Sequence, residues 1–102
     1  MDLNIKVETK TDEIIVKPEG EIDICFAPAF KEKLNNIIIE KKVNLLIDCE
    51  KLDYLDSTGL GALMSILKNA NENNVKIVIV NLKPNIRKLF TITGLDKIFS
   101  IK

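Results

Sequence analysis

Apolar and polar positions change their period several times along the chain, and each change marks an element. Leu3-Asn-Ile-Lys-Val7 alternates with period two, and β-branched Ile14-Ile-Val16 follows the polar turn Thr9-Lys-Thr-Asp12. Together they predict an N-terminal hairpin of two antiparallel strands. From Phe26 to Lys42 the period lengthens: Phe30, Leu34, Ile37 and Ile38 recur at helical spacing, and Pro28 suits a first helical turn. Val43 to Ile47 and Lys76 to Val80 are short apolar runs of the kind buried strands make, and between them Leu60, Leu63, Met64 and Leu67 share one face of a second helix. Asn81-Leu-Lys-Pro84 turns into a third helix, with Ile86, Leu89 and Phe90 inward and Gly94 at its end. Leu95, Ile98, Phe99 and Ile101 then close the core as a short turn and tail. Because parallel neighbours need crossover helices, this alternation predicts an α/β domain. Its small mixed sheet is parallel in the later strands and carries helices packed on it.

Composition narrows the function classes. A chain of 102 residues with 46% hydrophobic content suits one domain spanning residues 1–102, with no linker, internal repeat or low-complexity segment. Fifteen basic residues balance fifteen acidic ones without a long block of either sign, so neither direct nucleic-acid binding nor attachment to an anionic membrane is expected. The longest apolar runs fall far short of the roughly 20 residues of a membrane-spanning helix. The opening MDLNIKVE lacks the basic and apolar regions of a secretory leader, and Cys25 and Cys49 have no C-x-x-C spacing. A cytoplasmic domain with free thiols is expected. The chain contains no histidine, which excludes Ser-His triads and histidine metal sites, and its carboxylates show no metal-loop spacing. Gly59-x-Gly61 is too short for a dinucleotide fingerprint, and no phosphate-loop motif exists. Neither catalysis nor a cofactor is expected.

The informative stretch is Asp48 to Gly61 (DCEKLDYLDSTGLG), which leads from the end of a buried strand into the second helix. In open α/β sheets functional surfaces gather at that end. Either Asp56 or Ser57 can cap the first helical turn. Glycine inside a helix costs about 1 kcal/mol relative to alanine, so Gly59 and Gly61 require either close packing or a backbone left open to a partner.

The hexapeptide Asp56-Ser-Thr-Gly-Leu-Gly61, with Gly20-Glu-Ile-Asp23, Leu45-Leu-Ile-Asp48 and Val78-Ile-Val-Asn81 in that order and spacing, resembles the bacterial anti-sigma-factor antagonists. These belong to the STAS (sulfate transporter and anti-sigma antagonist) domain family. The resemblance covers nearly the whole chain and implies a single STAS-like domain and a partner-switching role. In that scheme the unphosphorylated antagonist binds an anti-sigma factor that is itself a serine kinase, which frees a sigma factor. The kinase uses ATP and magnesium, and a serine phosphatase restores the binding form. Carried onto this chain, the phosphoacceptor is Ser57. The implied partner-binding residues are Asp23, Asp56, Ser57, Thr58, Gly59, Leu60 and Gly61, with no catalytic residue among them.

Other readings have weaker support in the sequence. Thr58 is a second candidate phosphoacceptor, one position further into the helix. A STAS module regulating a stress-signalling or transport complex fits the same motifs. A receiver domain phosphorylated on aspartate is suggested by Asp48 or Asp53 after a strand and by Lys83-Pro84. That reading lacks the acidic pair after the first strand, where Val7-Glu-Thr-Lys10 stands instead, and lacks enough helices.

Overall fold

The structure is a computed structural model that describes residues 3–102. The chain runs through strands β1 (Leu3–Thr9) and β2 (Glu13–Ile22), helix α1 (Ala27–Lys41), strands β3 (Asn44–Asp48) and β4 (Leu52–Leu55), and helix α2 (Ser57–Glu72). Strand β5 (Ile77–Val80), helix α3 (Pro84–Thr93), a 3-10 turn (Leu95–Lys97) and strand β6 (Ser100–Ile101) follow. The sheet order is β1-β2-β3-β5-β6; β1 and β2 are antiparallel, and the other pairs are parallel. The helices and most strands stand where the periodicity predicts them, in a small mixed sheet.

Strand β2 organises this sheet. Its first half pairs with β3 in a register from Glu13 with Asn44 to Val16 with Ile47, and its last residues pair with β4. Pro18 has no N–H to give and sits between these two partnerships, where its presence costs no ladder bond. Gly20, at φ 112°, precedes a shift of register in the pairing with β4. Only glycine adopts such a backbone without strain.

Strand β4 is the main departure from the expected organisation, which takes Asp48 to Asp56 as a connection. Leu52 and Leu55 are buried while Asp53 and Tyr54 between them are exposed, so these four residues lack strict alternation. Their strand character comes from the free edge that β2 offers beyond Pro18. The two-residue strand β6 likewise forms because β5 has an open side.

Buried residues of one parity, Ile14 and Val16, Leu45 and Ile47, Ile77 and Ile79, face a single core shared with α1, α2 and α3. Phe30, Leu34 and Ile38 of α1 and Ile86 and Phe90 of α3 are fully enclosed in it. Phe90 meets Phe99 edge to face at 5.8 Å, an arrangement worth about 0.5–1.5 kcal/mol beyond area burial. Two expected core residues lie outside: Met64 is 37% and Ile98 54% exposed, because α2 and the 3-10 turn pass each other at the rim of the core. The opposite face of the sheet carries half-buried Ile15, Leu46, Val78 and Val80 among charged side chains.

The two cysteines behave differently. Cys25 is exposed, whereas Cys49 is 4% exposed at the end of β3. Burial, and then the charge of Asp48, push the Cys49 thiol from 9.0 up to about 12. Thiol titration of the native chain at neutral pH should therefore count Cys25 alone, and denaturant should release Cys49. A raised folded pKa means that stability from this group is complete below the unfolded value. It falls by about 1.4 kcal/mol per pH unit between pH 9.0 and about 12, where the unfolded chain loses the proton and the folded chain keeps it. Equal reaction of both thiols in the native chain would contradict the burial of Cys49.

Candidate functional site

The site forms where β2 and β4 end side by side. Ile22 pairs with Leu55, so the residues that follow, Asp23 and Asp56, leave the sheet as neighbours. One step back, Glu21 pairs with Tyr54, and alternation puts these two on the face away from buried Ile22 and Leu55. Tyr54 is 43% exposed and Ile24 71% exposed, two large apolar side chains beside three carboxylates. The charge of Asp56 above all, aided by Asp23 and Glu21, holds the Tyr54 phenol above its usual pKa. The surface is acidic with apolar tips.

Each carboxylate also has a local task. Asp23 Oδ1 accepts from the N–H groups of Cys25 (2.9 Å) and Phe26 (3.2 Å), and its carbonyl accepts from Phe26 and Ala27. These bonds fix the turn between β2 and α1, whose N-cap residue Phe26 supplies no side-chain cap. Asp23 thus serves its own helix entry while standing beside the α2 turn.

Asp56 is the N-cap of α2: its Oδ1 accepts from Gly59 N–H at 3.1 Å, and its carbonyl accepts from Leu60 N–H at 2.9 Å. Of the two caps the sequence allows, the aspartate takes the role. Ser57, the first helical residue, is exposed and has no capping duty. Thr58 is also exposed but lines a shallow groove against α1 with Ala27, Pro28, Lys31, Gly61 and Ala62.

The two glycines separate into the two roles that the sequence leaves open. A Cβ on Gly59 would lie 2.4 Å from Leu55 Cδ1 and 2.7 Å from the Ile22 carbonyl oxygen. Its absence lets the first turn of α2 rest directly on β2 and β4, which sets Ser57 beside the acidic cluster. A Cβ on Gly61 would meet nothing within 4 Å, and the residue is exposed. Asp23, Asp56, Ser57, Thr58 and Gly61 therefore share one accessible region. Gly59 and Leu60 are buried beneath it, Leu60 at 8% exposure.

Sequence reasoning alone misses Tyr54, Glu21 and Ile24. Their place depends on the pairing of β4 with β2, which no local pattern announces. Nearby, Asp48 Oδ1 accepts from Glu50 N–H (3.1 Å) and Asn81 Nδ2 (3.0 Å), and Lys83 forms an ion pair with Asp53. These contacts tie the strand ends to the entry of α3. They differ from a receiver's phosphorylation site, and the β1/β2 hairpin with all helices on one core departs from a receiver's layered topology. Among the described residues, no group of three or more histidine, cysteine or carboxylate ligands is placed to hold a metal ion. Nor is any helix among them long and apolar enough to cross a membrane.

The model of the STAS domain matches residues 4–102, almost the full length of this fold. The chain belongs to the STAS domain family. The anti-sigma-B factor antagonist of Listeria monocytogenes is 37% identical to it over 103 residues, covering 98% of this chain and 90% of that protein. The protein of the same name from Staphylococcus aureus is 33% identical over 101 residues, covering 99% and 94%. Among solved structures, an anti-sigma factor antagonist from Mycobacterium paratuberculosis superposes with a TM-score of 0.87 at 27% identity, covering 98% of this chain and 85% of that one. The match of this STAS domain thus reaches every strand and helix described above.

Proposed function

We propose that this STAS domain is an anti-sigma-factor antagonist whose binding is switched at Ser57. The unphosphorylated form binds an anti-sigma factor that is also a serine kinase and so frees a sigma factor. Phosphate on Ser57 ends the complex, and a serine phosphatase restores it. The chain acts as ligand and substrate in the cytoplasm and catalyses nothing itself.

The observation that carries this reading is the division of labour at the start of α2. Asp56 caps the helix, which leaves the Ser57 hydroxyl exposed and free of any structural hydrogen bond among the described residues. Modification there costs the fold nothing that it uses. A phosphate would adjoin the open N–H groups of the first turn and the positive end of the helix dipole. The relatives named as anti-sigma-B factor antagonists support the choice of partner.

Phosphorylation adds about −1.5 to −2 charges beside Asp56, Asp23 and Glu21. A partner fitted to a neutral hydroxyl would then have to bury a dianion without a matched counter-charge, at a cost of several kcal/mol. About 1.4 kcal/mol is tenfold in affinity, so this is enough to dissociate a moderate complex.

Incubation with the cognate kinase and ATP, followed by peptide mass spectrometry, is expected to place phosphate on Ser57. A dominant phosphate on Thr58 or on an aspartate would refute the assignment. Asp23 offers a separate check of the binding surface. Asp23→Asn keeps an acceptor for the Cys25 and Phe26 N–H groups, so its melting temperature should match the parent chain. Asp23→Lys loses both acceptor and charge. If Asp23 contributes through its charge, both variants weaken partner binding, the lysine more. Undiminished affinity in both would remove Asp23 from the interface.

A further inference from the structure

The outer edge of β1 is the longest unpaired strand edge among the described residues, and its sequence complements itself. β1 runs seven residues without proline, and its register with β2 is continuous from Leu3 with Gly20 to Thr9 with Ile14, with no bulge. At the other end of the sheet β6 offers only two residues. Strand edges are normally blunted by proline, bulges, shortness or charged side chains, and of these β1 carries only charges, Lys6 and Glu8, which are of opposite sign.

The direction of the free backbone groups follows from the hairpin. Lys10 N–H donates to the Glu13 carbonyl at 2.8 Å, which makes Lys10 and Glu13 a hydrogen-bonded pair. Bonded pairs in an antiparallel ladder recur every second residue, so Glu8 with Ile15 and Lys6 with Lys17 are also bonded pairs. The alternate residues Ile5, Val7 and Thr9 therefore aim their N–H and C=O groups at the free edge.

We propose that this edge pairs with β1 of a second copy of the chain, antiparallel and centred on Val7. In that register Val7 faces its own mate and Ile5 faces Thr9, so every outward backbone group of these residues finds a partner. The 39% exposure of Val7 on the helix-bearing face would be covered by the second Val7. On the opposite face Lys6 stands directly across from Glu8 of the other copy, twice over by symmetry. These fall in the non-hydrogen-bonded pairs, where side chains approach most closely.

Charge selects this register over its neighbour. Centring on Lys6 also aligns the outward N–H groups but sets Lys6 against Lys6, on a strand where Lys6 already lies opposite Lys17 of β2. Within one chain Lys6 reaches Glu19 at 3.6 Å and Glu8 reaches Lys17 at 3.2 Å. The Val7-centred dimer would extend these pairs into a ladder of alternating sign. β4 lies along the other side of β2, so the dimer leaves the Ser57 turn free, and the inference does not rest on the partner-switching reading.

The test is sedimentation of the full chain from micromolar to millimolar concentration, with circular-dichroism melts to confirm folding. The parent chain should show a reversible monomer–dimer equilibrium. Lys6→Glu and Glu8→Lys should each weaken dimerisation by about tenfold or more, since each turns both cross-edge pairs into like-charge contacts. An equimolar mixture of the two variants should restore dimers, because every cross-edge pair is then opposite in sign. The chain carrying both exchanges should dimerise like the parent. A parent chain that stays monomeric, a dimer indifferent to either single exchange, or no rescue in the mixture would overturn the proposal. A tighter dimer in Lys6→Gln, which would relieve a Lys6–Lys6 contact but remove a Lys6–Glu8 pair, would overturn it in favour of the Lys6-centred register.

Discussion

Ser57→Ala is expected to melt with the parent chain, within about 0.5 kcal/mol, while accepting no phosphate and retaining full affinity for the anti-sigma factor. From sequence alone, loss of this serine could have cost a helix cap. The structure removes that cost, because Asp56 holds the Gly59 N–H. The capping loss belongs to Asp56→Ala, which should lower stability by about 0.5–2 kcal/mol. Ser57→Asp places a carboxylate at the first helical position, where the dipole favours it by about 0.3–1 kcal/mol, so its stability should equal or exceed the parent's. Its affinity should nevertheless fall tenfold or more, although one carboxylate carries only part of a phosphate's charge. Thermal melts and titration calorimetry on the same samples separate the two quantities. If affinity merely followed stability, with aspartate binding as well as serine, the turn would not be read by charge and the switch would fail.

The second large effect divides the two glycines of the same turn. Gly59→Ala should destabilise the domain by about 1–3 kcal/mol even after the better helix propensity of alanine is counted. The added methyl would meet the Ile22 carbonyl oxygen at 2.7 Å, and that atom is backbone in the sheet. Leu55 can turn aside more easily, but it is itself only 3% exposed. Gly61→Ala should instead gain up to about 1 kcal/mol, since nothing lies within 4 Å of the new methyl and alanine favours the helix. A chain that forgoes this gain at an exposed position beside Ser57 fits a partner that packs closely on the helix backbone. Gly61→Ala should therefore be more stable and bind more weakly, and larger residues there should bind more weakly still. Binding by Gly61→Leu equal to the parent's would show that no partner approaches the backbone at this point.

The hydrophobic pattern determined the three helices, the hairpin, the mixed sheet with parallel later strands, and the hexapeptide at the mouth of α2. Those features rest on periods within single segments, which the chain carries whatever its partners. Ser57 was singled out by the resemblance of Asp56-Ser-Thr-Gly-Leu-Gly61 to the anti-sigma-factor antagonists and not by any period, and its exposure is a feature of the structure.

Tertiary structure alone decided what depends on which segments lie side by side. Leu52–Leu55 became a strand only because β2 continues past Pro18 and offers it an edge. That pairing brought Glu21 and Tyr54 to the site and set Asp23 next to Asp56. The choice of Asp56 over Ser57 as cap depended on the angle at which the chain enters α2, and the packing role of Gly59 on the distance to Ile22. Met64 on the stripe of α2 and Ile98 after the 3-10 turn matched the apolar pattern yet remained exposed, because the two segments meet at the rim of the core. Periodicity reports which face of a segment is apolar; the neighbours that the fold brings to that face decide which of its residues are buried and which are left for a partner.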